Sequence, residues 1–267
     1  MILSDYKIKS FQDQVLQYYR DNKRDLPWRN TTDPYMIHVS EVMLQQTQAK
    51  RVIEYYRSFM LKYPTLQSLA DSKFEDLVLS WKGLGFNSRV FRLRESARII
   101  LSKYNGEYPR NKKDLMQLPG IGEYTASAIL AFAFNIDEPV IDVNIRRVLV
   151  YSFNLDKDIS LKQLSEIASE LIPKGKSREY HNALMDYGAM HLTSRKTNLT
   201  FSKKQKKFEG SDRQARAKVL SLLAVNKTLS RQKLQETFPD KDIHKIVLQM
   251  KKERLVNCED DTVSITE

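Results

Sequence analysis

The chain has 267 residues, 41% of them hydrophobic and 10% aromatic, which suits one large domain or two smaller ones with a real core and excludes a disordered chain. Its formal net charge of +11 points to a polyanionic partner. A single cysteine, Cys258, excludes an intrachain disulfide and any metal or iron–sulfur site built from cysteine alone.

The opening "MILSDYKIKS" has no apolar run of the signal-peptide kind, and no stretch has the length and apolarity of a membrane span. The expectation is an intracellular protein, cytoplasmic and nucleoid-associated if its source is prokaryotic. From Tyr6 to Tyr19, the residues Phe11, Val15, Leu16 and Tyr19 share one helical face. A long, partly amphipathic pattern follows over Val39–Tyr63. Further helical patterns run through Phe74–Trp81, Ser88–Tyr104, Glu123–Phe134, Asn144–Tyr151, Leu161–Leu171 and Arg178–Leu192, with breaks at Pro, Gly and Asp-Pro positions between them. This part reads as all-α.

The stretch "SRKTNLTFSKKQKKFEGSDRQ" is polar and basic and reads as a linker. Helical patterns near Asp212–Ala224, Ser230–Phe238 and Lys241–Glu253 come next, then two short strands around Asp260-Asp261. That order is the order of a winged helix. The expected domains are residues 1–208 and a winged-helix-like module over residues 209–267.

Several short stretches carry chemistry. In "LPGIGEYTASAIL", Gly120 and Gly122 flank Ile121 just before an apolar helix, so the backbone amides of the first turn can approach an anion such as a phosphate; an αα-corner with glycines for packing uses the same letters. In "VIDVNIRRVL", Asp142 stands where a helix would begin and suits an N-cap. In "DPYMIHVSEVMLQQTQAKRV", Glu41 sits among apolar neighbours near the start of a long helix, where first-turn capping is its ordinary use. Gln45, Gln46, Thr47 and Gln48 form an uncharged polar cluster.

Together with "LPWR", "GLGF.SR" and "NALMDYGAM", these stretches resemble the helix-hairpin-helix DNA glycosylases, and most closely the MutY-type adenine glycosylases, over roughly the first three-quarters of the chain. The resemblance implies a fold of two helical subdomains with the site in the cleft. It implies removal of adenine mispaired with 8-oxoguanine or guanine during base excision repair of duplex DNA by a monomer. Glu41 would be the general acid that protonates adenine N7, and Asp142 would stabilise the sugar cation. Asn144 would hold the carboxylate or a water. Tyr124 stands where strand-cleaving relatives carry a lysine, and a phenol cannot form a Schiff base. The enzyme would therefore be monofunctional. Arg24, Trp28, Arg29 and Asp186 match the adenine pocket. Gln46 matches the residue that wedges into the duplex and Phe86 an intercalating position. Thr47 and Leu84 match contacts to the opposite base, and Gly120, Ile121 and Gly122 match the phosphate-gripping hairpin.

Three departures stand out. Val143 replaces the glycine of the usual Asp-Gly-Asn. The usual [4Fe–4S] cysteine positions hold Leu192, Leu199, Ser202 and Phe208, so no cluster is expected. The remaining sixty or so residues are also too few for the Nudix-like domain that reads 8-oxoguanine. Two other functions stay open. One is a thymine/uracil mismatch glycosylase of the same fold, against which Glu41 argues. The other is a non-catalytic winged-helix DNA-binding protein.

Overall fold

The computed structural model describes residues 4–201 and 207–267. The helices in chain order are α1 (Asp5–Asn22), α2 (Pro34–Leu44), α3 (Ala49–Lys62), α4 (Leu66–Ala70), α5 (Phe74–Ser80), α6 (Ser88–Tyr104), α7 (Lys112–Leu115) and α8 (Glu123–Phe134). They continue with α9 (Val143–Ser152), α10 (Leu161–Glu170), α11 (Ser177–Asp186) and α12 (Ser194–Thr197). The C-terminal module runs α13 (Asp212–Asn226), β1 (Thr228–Ser230), α14 (Arg231–Thr237), α15 (Ile243–Lys252), β2 (Val256–Glu259) and β3 (Thr262–Ile265).

The chain forms two compact units. The first comprises the described parts of Met1–Glu41, Tyr108–Gln117 and Ile121–Lys204; the second those of Val42–Glu107, Leu118–Gly120 and Gln205–Glu267. In the first unit, α11 packs against α1, α8 and α9. Phe11, Val15 and Leu16 of α1 meet Ile145, Val148 and Leu149 of α9, with Leu164, Tyr180, Leu184, Tyr187 and Leu192 in the same cluster. Helix α8 is buried from Thr125 to Ala133 without a break, so it has no solvent face and its sequence is apolar all round.

In the second unit, α4 and α5 pack on α6, and α13 packs on α5. Val219, Leu220 and Leu223 of α13 and Ile246, Val247 and Met250 of α15 are buried, as is Val263 of β3. The sheet order is β1-β3-β2, antiparallel, with Leu229 opposite Val263 and Cys258 opposite Val263 on the other side. Helix, strand, two helices and a hairpin give the winged-helix order. The three-residue β1 is too short to show an alternating pattern, and the sequence does not announce it.

Two expected helices are divided. The Val39–Tyr63 pattern breaks after Leu44, because Gln46 takes a left-handed φ of 57° that no helix continues through. Glu41 is therefore late in α2 rather than in a first turn, which removes the capping use. The Arg178–Leu192 pattern changes at Tyr187 into five residues of π-helix, Tyr187–His191.

Candidate active site

Helix α2 starts at Pro34, where Asp33 Oδ1 accepts from the Tyr35 amide at 2.8 Å. From Ile37 to Met43 every residue is buried, so Glu41 is held among Val39, Val42 and Met43 and is only 5% exposed. Burial, with the nearby Asp142 charge, pushes its carboxyl up to about 7; a hydrogen bond from Tyr124 and the Arg29 charge pull the other way. Among the described residues, Glu41 Oε2 has no hydrogen-bond partner. The Tyr124 phenol, on the first turn of α8, is raised well above its usual range by burial and by the charges of Glu41 and Asp142. It is therefore protonated at neutral pH and donates to Glu41.

Asp142 caps α9. Its Oδ1 accepts from the amides of Asn144 at 2.9 Å and Ile145 at 2.7 Å, and its Oδ2 accepts from Asn144 Nδ2 at 2.7 Å. Burial raises its carboxyl, while those bonds and the Arg147 charge hold it back. Val143 is the first residue of α9, 42% exposed and outside the left-handed region, so nothing in the backbone asks for the family's glycine there.

Asp186, at the end of α11, is fully buried. Its Oδ1 accepts from Arg24 Nε at 2.6 Å and Arg29 Nη2 at 2.8 Å; its Oδ2 accepts from Arg29 Nη1 at 2.7 Å and the Arg24 amide at 3.0 Å. Both oxygens are thus committed to arginines, and the arginine charges hold the carboxyl below its usual value against the opposing effect of burial. Asp186 orients Arg24 and Arg29 through these four hydrogen bonds.

Gly120 has a φ of 82°, and a Cβ there would stand 3.0 Å from Arg92 Cβ. Ile121 is buried, and Gly122 caps α8 with open space where a side chain would be. Gly122 gives the first-turn amides of α8 no side-chain cap.

Gln46 and Phe86 both lie in the second unit, and both are left-handed, with φ of 57° and 48°. For a bulky aromatic that backbone is strained. Phe86 is 39% exposed, whereas Leu84 is buried and supports the loop from inside. Thr47 is half-buried. One side chain holds both turns. Arg89 Nη1 donates to the carbonyls of Val42 at 2.8 Å, Met43 at 3.2 Å and Gln45 at 2.8 Å, and Nη2 donates to Leu84 at 2.9 Å and Gly85 at 3.0 Å.

Residues 39–174 match the HhH-GPD superfamily of base excision DNA repair proteins. The chain belongs to this superfamily. It is 38% identical over 196 residues to an adenine DNA glycosylase of Buchnera aphidicola, covering 71% of this chain and 56% of that one. It is 34% identical over 194 residues to a thymine/uracil-DNA glycosylase of Methanothermobacter thermautotrophicus, covering 71% and 88%. The solved structure of a thermostable thymine-DNA glycosylase superposes with a TM-score of 0.67 at 34% identity, over 72% of this chain and 91% of that one. The chain spans about half the length of the Buchnera adenine glycosylases it matches.

As an HhH-GPD chain, this one is a poor host for the iron–sulfur cluster that is usual in the family it resembles. Leu192 is in the hydrophobic core, Leu199 is half-buried and Phe208 is 50% exposed. Ser202 lies outside the described residues. None of the four is a thiolate, and Cys258 sits on β2 of the C-terminal module. The residues do not fit the group.

Sequence reading missed three residues that shape the site: Arg89, Arg147 and Gly188. Arg147 is buried; it donates to Asn144 Oδ1 at 2.8 Å and to the carbonyls of Gly188 at 2.6 Å and Leu192 at 2.7 Å. A Cβ on Gly188 would stand 2.8 Å from Asn144 O and 2.9 Å from Asn144 Cβ. All three lie inside the quoted motifs, which was the available signal. Their role is to hold backbone, and that does not show in residue type.

Proposed function

We propose that this chain is a monofunctional DNA glycosylase that releases adenine from mispairs with 8-oxoguanine or guanine. The observation that carries this reading is Glu41: a buried carboxyl raised to about 7, hydrogen-bonded by Tyr124 and with Oε2 unpartnered among the described residues. A carboxyl in that state is a proton donor at neutral pH. Ionising it costs the fold stability, and DNA binding alone has no use for it.

In this mechanism the adenine leaves the stack and enters beside Trp28, Arg24 and Arg29. Glu41 gives its proton to N7 as the bond from N9 to the sugar breaks, and the bonding pair leaves with the base. Positive charge develops on the sugar next to Asp142, which stays ionised and stabilises it. Asn144 holds Asp142 Oδ2 in place. Water then adds to the sugar cation and passes its proton to the Glu41 carboxylate, which restores the acid and leaves an abasic site. Gln46 and Phe86 enter the duplex from the two Arg89-clamped turns, and the amides after Gly122 take a phosphate.

The test is release of free base from duplexes carrying A:8-oxoG, A:G, T:G and U:G. Adenine release from the first two supports the reading. Thymine or uracil release would support the second reading, which the M. thermautotrophicus relative favours. Binding without release of any base would leave the non-catalytic one. Borohydride should trap no covalent adduct, because Tyr124 has no amine.

A further inference from the structure

Helix α6 carries four arginines, and three of them are committed to backbone carbonyls. Arg89 holds the two strained turns. Arg94 donates to the carbonyls of Ser72 at 3.3 Å and Glu267 at 3.2 Å, and Arg98 donates to that of Ala70 at 3.0 Å. The only acid of α6, Glu95, pairs with Arg94 at 3.2 Å and with Arg98 at 3.1 Å. Arg92 differs from the other three. It is exposed, and among the described residues its guanidinium has no hydrogen bond, ion pair or ring contact. Its stem nevertheless has a set course. Ser96, one turn further along the same face of α6, is fully buried and donates through Oγ to the Pro119 carbonyl at 2.6 Å. That bond ties the next residue, Gly120, to the helix. A Cβ on Gly120 would stand 3.0 Å from Arg92 Cβ, 3.8 Å from Cγ and 3.5 Å from Cδ, so three consecutive stem carbons run along the bare face of the glycine. Arg92, Ser96, Pro119 and Gly120 all belong to the second unit.

From this we infer that Arg92 is a DNA-contacting residue, its guanidinium donating to a backbone phosphate at the Gly120 turn. The inference rests on the proposed DNA glycosylase reading and deepens it, because Gly120 belongs to the hairpin proposed to meet a phosphate. A guanidinium offers two parallel N–H donors to a phosphate, and its stem, laid along the turn, gives up less freedom on binding than a free side chain would. No acid on its own helix is left to compete for it. Gly120 then has two uses: its left-handed φ of 82° makes the turn, and its missing side chain leaves the course that the Arg92 stem follows.

The test uses the full chain as wild type, Arg92→Gln and Arg92→Lys. Binding to an A:8-oxoG duplex and to the same duplex fully paired is measured across a salt series, with single-turnover base release at saturating enzyme. Glutamine keeps the three stem carbons that lie on Gly120 and removes the charge, so the thermal melt should match wild type. Arg92→Gln should bind both duplexes roughly tenfold more weakly at low salt, with a log–log salt slope smaller by about one. Its saturated rate of release should stay within about twofold of wild type. Arg92→Lys should keep the wild-type slope, because it keeps the charge. An Arg92→Gln slope equal to wild type would overturn the phosphate contact and leave Arg92 as a cover for Gly120. A loss confined to the A:8-oxoG duplex would overturn it too, since a phosphate contact carries no sequence information. Wild type that binds with the expected dependence on Arg92 but releases no base would uphold the contact and overturn the glycosylase reading, so the two failures are distinguishable.

Discussion

Arg147 Nη2 donates to Asn144 Oδ1 at 2.8 Å, and this contact decides which end of the Asn144 amide faces Asp142. With its oxygen taken, Asn144 can present only Nδ2, and Nδ2 donates to Asp142 Oδ2 at 2.7 Å. The proposed stabilising carboxylate is aimed through two side chains, and the outer one is anchored on the Gly188 and Leu192 carbonyls.

Asn144→Ala should therefore slow chemistry more than binding. Asp142 would keep its two amide donors but lose the one on Oδ2. Single-turnover adenine release is expected to fall about ten- to a hundredfold, with duplex affinity within about threefold of wild type. An unchanged rate would mean Asn144 has no part in placing the carboxylate.

Glu41 links rate to pH and to stability. The acid must hold its proton, so base release should be fullest below about 7 and fall as pH rises through that value. Glu41→Gln keeps the shape and removes the proton donor; release should drop below detection while DNA binding persists. Stability moves the other way. Between the ordinary value of 4.5 and about 7, the folded chain keeps a proton that the unfolded chain has released. Stability from this group therefore declines as pH rises through that window and is fully lost above it. Glu41→Gln should thus melt at a higher temperature than wild type at pH 8, by an amount on the order of 3 kcal/mol in stability, with the gap shrinking toward pH 5. A gap that does not depend on pH would mean the carboxyl titrates normally.

Arg89→Lys should loosen both strained turns at once. A lysine ammonium has three donors on a flexible stem and cannot span five carbonyls on two segments. Loss of stability of roughly 2–4 kcal/mol is expected from the abandoned buried carbonyls. Duplex affinity should fall even at temperatures where the variant is fully folded, which thermal melts and binding isotherms on one preparation would separate.

Gly188→Ala tests the π-helical turn. The added methyl would press on Asn144 O and Cβ and on Val148 Cγ2, at 2.8, 2.9 and 3.0 Å. A loss of roughly 1–3 kcal/mol is expected, with slower base release because Asn144 is what must move. Denaturant melts together with single-turnover rates would check both halves. A destabilised protein with the wild-type rate would detach the turn from the chemistry.

The helical order, the winged-helix order at the C-terminus and the N-cap of Asp142 were legible because each leaves a local pattern: a period, a turn pair, a carboxylate ahead of an apolar run. The position of Glu41 within its helix was not. The pattern from Val39 to Tyr63 continues through the Gln45–Gln48 break because both helices bury the same kind of side chain. Nor does the sequence show that Asp186 is wholly committed to Arg24 and Arg29, since that pairing joins residues more than 150 positions apart. Phe208 illustrates the limit. Its apolar side chain suggests packing in place of a cluster ligand, yet it stands half-exposed beside Arg213.

The left-handed backbone at Gln46 and Phe86 also restricts what can ever occupy those positions. Valine, isoleucine and threonine are disfavoured there before any question of fit to a duplex arises, while glycine and asparagine enter at little cost. A randomised library at the two sites, sorted only for folding, should already be skewed toward the second group. The residues proposed to enter the duplex are thus drawn from a short roster that the turn geometry has screened first.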